Sequence, residues 1–414
     1  MSQNKLKTLI EELKKRKVFN NITSEEKVYL ITLDHGIYVG FDPTAISLHL
    51  GNYIQMVNLK RFQNVGFKTI AILGGATSMI GDPSFKDSER KLLSNETILE
   101  NKKHIRKQLE NFGFKVIDNL DFYKDMNILD YLRSVGKFFN VSTMMSRDSV
   151  ANRIQSGLSF TEFSYQTLQA YDFKVLCEKE NVMMQLGGSD QWGNLVSGLD
   201  FINKTLSKNL PTIGITMNLL VDSNGNKIGK STGGASLWID KTLTSPYVLY
   251  QYLLNTNDDD AYNLLLQLTF LQLSEIERIK NEHLKNPKLR LMQSRLSFEV
   301  VKDIHGKEEA QRALHISTSL FKEKNSWFNL SLEDLIQLKG SVDFVPFKDD
   351  LFLTLVDSKI ISSKREFNEF VRDKSLKING QDVTGLDYDL PWENYDNKYL
   401  ILKKGKKQYW VIYK

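Results

Sequence analysis

The sequence predicts an α/β fold with a parallel sheet, followed by an all-helical region and a small α+β domain at the C-terminal end. Three observations carry this. An apolar, β-favouring run, Gly36-Ile37-Tyr38-Val39-Gly40-Phe41, breaks at Asp42-Pro43-Thr44 and yields to a helical pattern through Leu50, Ile54, Met56, Leu59 and Phe62. Two further short apolar runs, residues 69–73 and 182–186, also end in glycine-rich turns, as strands buried on both faces of a parallel sheet do. From residue 246 the periodicity is helical, until a basic final segment in which lysines alternate with apolar residues.

Composition sets the bounds. A chain of 414 residues has room for two or three domains, and 41% hydrophobic with 25% charged residues is ordinary for a globular protein. The net charge of +5 excludes a histone-like polycation while allowing a local basic surface. Cys177 is the single cysteine, which excludes an internal disulfide and a multi-cysteine zinc site and fits a reducing, cytoplasmic compartment. Six histidines without HxxxH-type pairing add no support for a protein-bound metal. Residues 1–20 read as an amphipathic helix with Leu6, Leu9, Ile10 and Leu13 on one side. They lack a secretory apolar core and carry too many acids for a transit peptide, and no stretch is long enough to span a membrane.

Taken in order, the first strand–turn–helix unit places His49-Leu50-Gly51-Asn52 at a helix entry, where backbone N–H groups favour anions; alone, the tetrapeptide fits an ordinary junction equally well. The strand at 69–73 ends in Gly74-Gly75-Ala76-Thr77, at the strand end where ligands of open α/β sheets collect. The polar loop from Gly81 to Arg90 reads alone as solvated; beside an anion site, Lys86 and Arg90 would offset negative charge. Residues 91–160 are mainly helical, with a strand at 114–117. Tyr165, Gln169 and Asp172 follow at i, i+4 and i+7, sharing one helix face. Such a stripe is either solvated or the lining of a site for a small polar molecule. The strand at 182–186 ends in Gly187-Gly188-Ser189-Asp190-Gln191-Trp192-Gly193-Asn194, where a carboxylate after a glycine turn suits a ribose hydroxyl. Lys227-Ile228-Gly229-Lys230-Ser231 lies in a glycine- and lysine-rich loop of a kind common at surfaces.

Helical stretches then cover 246–254, 258–271, 274–282 and 287–301, with basic faces at Lys280, Lys285, Lys288, Arg290 and Arg295. A looser stretch, 339–350, reads as a linker. Residues 351–414 carry 12 basic against 9 acidic residues, a surplus of +3. They read as two short helices and a hairpin turning at Asn379-Gly380. The basic side chains are Lys364, Arg365, Arg372, Lys374, Lys377, Lys403, Lys404, Lys406 and Lys407. Such a patch attracts a phosphate backbone, and its interleaved Leu400, Ile401, Tyr409, Trp410 and Ile412 call for a core.

Together these motifs closely resemble the class I aminoacyl-tRNA synthetases, and within them the bacterial-type tyrosyl-tRNA synthetases, over nearly all 414 residues. The resemblance implies a Rossmann-like catalytic domain over 1–220 with a connecting, dimerising insertion at about 115–160 and Phe160 near that interface; read alone, Phe160 fits a plain core phenylalanine nearly as well. It further implies a KMSKS-like lid at 221–245, a helical anticodon-region domain at 246–338 and an S4-like RNA-binding domain at 351–414. The implied reaction is two-step: L-tyrosine and ATP, with Mg2+, give tyrosyl-adenylate and pyrophosphate, and the tyrosyl group then passes to the 3′-terminal ribose of tRNA(Tyr). A homodimer is implied, with neither membrane association nor a protein-bound metal.

By the same resemblance His49 and Asn52 would bond developing phosphate charge, and Lys86, Arg90, Lys227, Lys230 and Ser231 would hold the pyrophosphate. Gly40, Asp42, His49, Gly51, Gly188, Asp190 and Lys230 would bind ATP. Asp82, Tyr165 and Gln169 would hold the ammonium group of tyrosine, Gln191 would lie near its carboxyl group, and Tyr38 and Asp172 would face its phenol. Two departures stand out: Asn52 replaces a second motif histidine, and Val39 replaces a smaller residue near the ribose. The competing readings are a non-catalytic, synthetase-derived RNA-binding protein and the related tryptophanyl-tRNA synthetase.

Overall fold

The computed structural model describes residues 4–84, 93–154, 157–223, 225, 226, 228, 236–321, 330–405 and 408–414. Its contacts form two compact units, Met1–Ile239 with Asn263–Ile276, and Asp240–Tyr262 with Glu277–Lys414.

The first unit is built on strands β1 (Phe19–Ile22), β2 (Gly36–Phe41), β3 (Lys68–Leu73), β4 (Lys115–Asp118), β5 (Val182–Gly188) and β6 (Ile213–Met217), in the spatial order β1-β6-β5-β2-β3-β4. All neighbours run parallel except β1, which pairs antiparallel with β6. Every residue of β5 and β6 is buried, which explains their near-continuous apolar sequences. Helices α1 (Lys5–Lys15), α2 (Leu50–Val65), α3 (Asn95–Asn111), α4 (Ile128–Ser134), α5 (Val141–Met145), α6 (Asp148–Ile154), α7 (Phe160–Glu180) and α8 (Trp192–Thr205) join them. Strand order proceeds from β2 to β3 in one direction and from β5 to β6 in the other. The gap between β2 and β5 is therefore the topological switch point, where the carboxyl ends of strands open a crevice.

Local chemistry sets the helix limits. Ser159 caps α7 by accepting from the Glu162 N–H, and the helix stops at Asn181 in a left-handed conformation, φ 55°. α2 stops at Gly66, φ 108°, a backbone state that glycine adopts without strain. The N-terminal amphipathic helix is shorter than the expected 1–20: Lys17 turns left-handed at φ 58°, and Phe19 onward joins the sheet edge. Residues 263–276 belong to the first unit because two buried arginines bind their carbonyls. Arg16 donates to Leu266, Thr269 and Leu271, and Arg61 to Leu266, Gln267 and Thr269.

From residue 246 the chain runs through α9 (Pro246–Leu254), α10 (Asp258–Leu268), α11 (Leu273–Lys285), α12 (Leu291–His305), α13 (Lys307–Phe321) and α14 (Leu332–Gln337), then α15 (Leu351–Asp357) and α16 (Lys364–Arg372). The helix expected from Pro287 to Val301 instead starts at Leu291: Arg290 sits at φ 52° and donates to the Leu254 and Thr256 carbonyls. The C-terminal sheet contains β7 (Asp343–Pro346), β8 (Leu376–Ile378), β9 (Gln381–Asp382), β10 (Tyr399–Lys404) and β11 (Gln408–Tyr413), in the order β7-β11-β10-β8-β9. β7 lies in the expected linker, 339–350, and so corrects that boundary. It pairs parallel with β11, covering an edge whose N–H and C=O groups would otherwise be unpaired. The expected hairpin is present, with Asn379 at φ 44° and Gly380 at φ 87° between β8 and β9, the conformation of a type I′ turn. Leu351, Leu355, Phe367, Ile378, Leu400, Leu402 and Ile412 fill the core of this segment.

Candidate active site

The carboxyl ends of β2, β3 and β5 lie side by side, with Phe41 paired to Leu73 and Tyr38 to Gln185. A cavity of about 270 Å³ opens there. Its walls bring together Tyr38, Gly40, Asp42, Gly51, Asn52, Asp82, Tyr165, Gln169, Asp172, Gly188, Asp190 and Gln191, the twelve described candidates for tyrosine and nucleotide binding apart from His49. His49 instead caps α2 and bridges to Trp238, its ring centroid 6.3 Å from the indole. Lys86, Arg90, Lys227, Lys230, Ser231, Lys406 and Lys407 lie outside the described residues.

Asp172 is the most buried charged residue lining the cavity, 3% exposed. Asn119 Nδ2 donates to its Oδ2 at 2.9 Å and the Tyr123 hydroxyl to its Oδ1 at 2.7 Å. Burial pushes its carboxyl up to about 7, against the opposite pull of those two hydrogen bonds. Burial also drives the Tyr38 phenol well above its ordinary value, and the Asp172 charge adds to the effect.

On the next wall Asp42 accepts from Thr77 Oγ1 at 2.8 Å through Oδ1 and from the Tyr165 hydroxyl at 3.2 Å through Oδ2. Gly74 is required here: a Cβ would sit 2.0 Å from Asp42 Oδ1 and 2.5 Å from Thr77 Oγ1. At Gly188 a Cβ would lie 2.4 Å from Asp190 Oδ1, so any larger residue would turn that carboxylate aside. Asn52 forms a capping box at the start of α2, accepting from the His49 N–H at 3.1 Å. Its oxygen is used within the helix, so its amide N–H groups are what it can offer a ligand.

The hydroxyl of Tyr38 and the amide oxygens of Gln55, Gln169 and Gln185 are buried without a hydrogen-bond partner, and all four residues line the cavity. Buried polar atoms left this way call for a polar ligand. Gln55, Thr77, Asn119, Tyr123 and Gln185 were not among the sequence candidates. Gln185 carried a signal, a lone amide inside an apolar strand; Asn119 and Tyr123 carried none. Among the described residues no group of three or more His, Cys, Asp and Glu side chains is arranged to hold a metal ion.

The basic candidates near the C-terminus divide in two. Lys364, Arg365, Arg372 and Lys374 are exposed on α16 and the turn after it. Lys404 is not: it pairs with Glu366 at 3.0 Å and donates to the Ile360 carbonyl, its side chain 14% exposed. Lys377 is tied to Asp382 at 2.5 Å, and Lys403 lies over the Tyr409 ring.

A parallel sheet with a polar, glycine-lined cavity at its switch point, followed by helices and a small basic α+β segment, defines the class. The chain belongs to the class I tRNA synthetases of the tryptophan and tyrosine group, whose family pattern matches residues 33–322. A second pattern, the tyrosine--tRNA ligase SYY-like C-terminal domain, matches residues 334–412 and places the chain in the tyrosine branch. The tyrosine--tRNA ligase of Mycoplasmopsis synoviae is 47% identical over 402 residues, covering 97% of this chain and 98% of its own length. That of Mycoplasmopsis agalactiae is 48% identical over 405 residues, 97% and 98% of the two chains. Among solved structures, a C-terminally truncated mitochondrial tyrosyl-tRNA synthetase of Aspergillus nidulans aligns with a TM-score of 0.68 at 30% identity, over 76% of this chain and 94% of that one.

Proposed function

We infer that the cavity at the β2/β5 switch point is where L-tyrosine is activated: the chain charges tRNA(Tyr) with L-tyrosine, forming tyrosyl-adenylate from ATP and then transferring the tyrosyl group to the terminal ribose. The observation that carries this reading is the buried Tyr38–Asp172 end of the cavity, where a carboxylate and an unpartnered phenol hydroxyl lie in a pocket that also holds unpartnered amide oxygens. A substrate phenol would donate to Asp172 and accept from Tyr38. Its ammonium group would meet Asp82, Tyr165 and Gln169, and its carboxylate would lie toward Gln191.

The nucleotide would occupy the side lined by Gly40, Gly51, Asn52, Gly188 and Asp190. Asp42, already accepting from Thr77 and Tyr165, would form the wall between amino acid and nucleotide. In the first step the tyrosine carboxylate attacks the α-phosphorus and pyrophosphate leaves. No protein nucleophile is needed, so positioning and charge stabilisation do the chemistry. His49 and Asn52, with Lys86, Arg90, Lys227, Lys230 and Ser231, would stabilise the phosphates, and magnesium would arrive with ATP as part of the substrate.

The exposed cations on α16 would contact the tRNA backbone. A homodimer would use the exposed apolar side chains of the connecting segment, Ile128, Leu129, Leu132, Val141, Met145 and Phe160, the last 76% exposed. We place the protein in the cytoplasm, with its tRNA and ATP; among the described residues no helix is long and apolar enough to cross a membrane. The test is ATP–pyrophosphate exchange without tRNA, offered tyrosine, phenylalanine or tryptophan. Exchange with tyrosine alone supports the reading. Exchange with tryptophan, or with none of the three from folded protein, overturns it.

A further inference from the structure

Asp172 depends on a residue that does not touch the cavity. The Tyr123 hydroxyl lies 2.7 Å from Asp172 Oδ1 and 2.9 Å from the carbonyl oxygen of Leu168, one turn earlier on α7. A phenol has one proton and serves one acceptor at a time. An ionised carboxylate is the stronger acceptor, so the proton goes to Oδ1 when Asp172 is charged. Asn119 holds the other oxygen, Oδ2, and is itself fixed: its Oδ1 accepts from the Ala76 N–H at 2.7 Å. The Tyr123 ring packs on Tyr171 with centroids 5.4 Å apart. Asp172 lines the cavity and Tyr123 does not; Tyr123 reaches a ligand through Asp172.

We propose that Tyr123 is a specificity-determining positioning residue, which pins one oxygen of Asp172 so that the carboxylate's remaining lone pairs face the para-hydroxyl of the substrate. With one donor on each oxygen, the carboxylate cannot rotate about Cβ–Cγ without giving up both bonds. A para-hydroxyl then meets an acceptor at a fixed place, whereas phenylalanine would leave that acceptor buried and unpaired, at a cost. Without the Tyr123 hydroxyl the carboxylate is held at one end only, and the preference for tyrosine weakens. The inference rests on the reading of Asp172 as the group that receives the substrate phenol.

The experiment is Tyr123→Phe, which keeps the ring and its packing and removes one hydroxyl, measured by ATP–pyrophosphate exchange beside the wild type. KM for tyrosine is expected to rise about fivefold to twentyfold, with kcat and KM for ATP within about twofold. The ratio of kcat/KM for tyrosine to that for phenylalanine should narrow by the same factor. In an Asp172→Asn background the Tyr123→Phe change should move KM for tyrosine by less than about twofold, because the two residues act as one unit. KM and the tyrosine-to-phenylalanine ratio do not depend on the folded fraction, so they remain decisive if the variant folds incompletely. A fall in kcat with KM and the ratio unmoved would show a merely structural role and overturn the proposal, as would no change at all. A wild type without tyrosine-dependent exchange would overturn the underlying reading as well, and is distinguishable because it appears before any variant is made.

Discussion

Gln191 donates its side-chain nitrogen to Asp82 Oδ2 at 2.7 Å, tying the turn after β5 to the loop after β3. The geometry is fixed from both ends. Asn194 donates to Gln191 Oε1 at 3.1 Å, and the Ser84 N–H donates to Asp82 Oδ1 at 3.0 Å. An Asp82 carboxylate oriented this way suits a cation better than an anion. Asp82→Asn should therefore raise KM for tyrosine about tenfold while leaving KM for ATP within about twofold. It should also narrow the preference for tyrosine over its desamino analogue; an unchanged preference in exchange assays would separate Asp82 from the ammonium group.

Asp172→Ala should lower kcat/KM for tyrosine on the order of 100-fold, the scale of a hydrogen bond to a charged group, with KM for ATP nearly unchanged. Equal loss of both, measured by exchange at varied ATP and tyrosine, would remove Asp172 from the amino-acid pocket.

Activity should rise with pH through neutrality. The Asp172 carboxyl, pushed up to about 7 by burial, is protonated below that value and then cannot accept from a substrate phenol. The logarithm of kcat/KM for tyrosine should therefore climb between about pH 6 and pH 8 and flatten above. For stability the sign is opposite. The folded state holds this proton more tightly than the unfolded chain, so the group's contribution to stability falls as pH rises through the window from its ordinary value to about 7. A flat kcat/KM profile across neutrality would show that Asp172 is not the acceptor.

Gly74→Ala should destabilise the protein by about 1–3 kcal/mol and impair tyrosine binding, since the added methyl displaces both Asp42 and Thr77. Thermal melting and tyrosine KM should change together; a variant with normal melting and normal KM would mean that the turn relaxes freely.

Charge reversal at Arg365 and Arg372, both exposed, should weaken tRNA binding and flatten its salt dependence by about two units of slope without affecting ATP–pyrophosphate exchange. Lys404→Ala should behave differently. It breaks the pair with Glu366 and should lower the melting temperature more than the salt slope. Any truncation meant to remove the C-terminal segment should end before β7, because a cut at residue 351 leaves that strand without its partner β11.

How much was legible in the sequence follows from the range of the interactions. The strands 69–73 and 182–186, the helix from residue 246 to 254 and the Asn379-Gly380 hairpin were readable because periodicity and turn chemistry are local. So was the stripe of Tyr165, Gln169 and Asp172, since helical spacing alone puts the three on one face. Their turn toward a cavity followed from the family resemblance.

The tertiary structure decided what depends on distant contacts. Arg16 and Arg61 bring residues 263–276 to the first unit through backbone carbonyls, which have no sequence signature. β7 emerged from an expected linker because a far strand offered it an open edge. Asn119 and Tyr123 are ordinary polar residues in a turn until folding sets them against Asp172, 53 and 49 positions away. The sequence by itself determined which side chains could do the chemistry, through their types and their helical or strand spacing. Only the tertiary structure decided which of those groups are buried, which are already paired and which still lack a partner, because desolvation and hydrogen bonding depend on everything that packs around an atom.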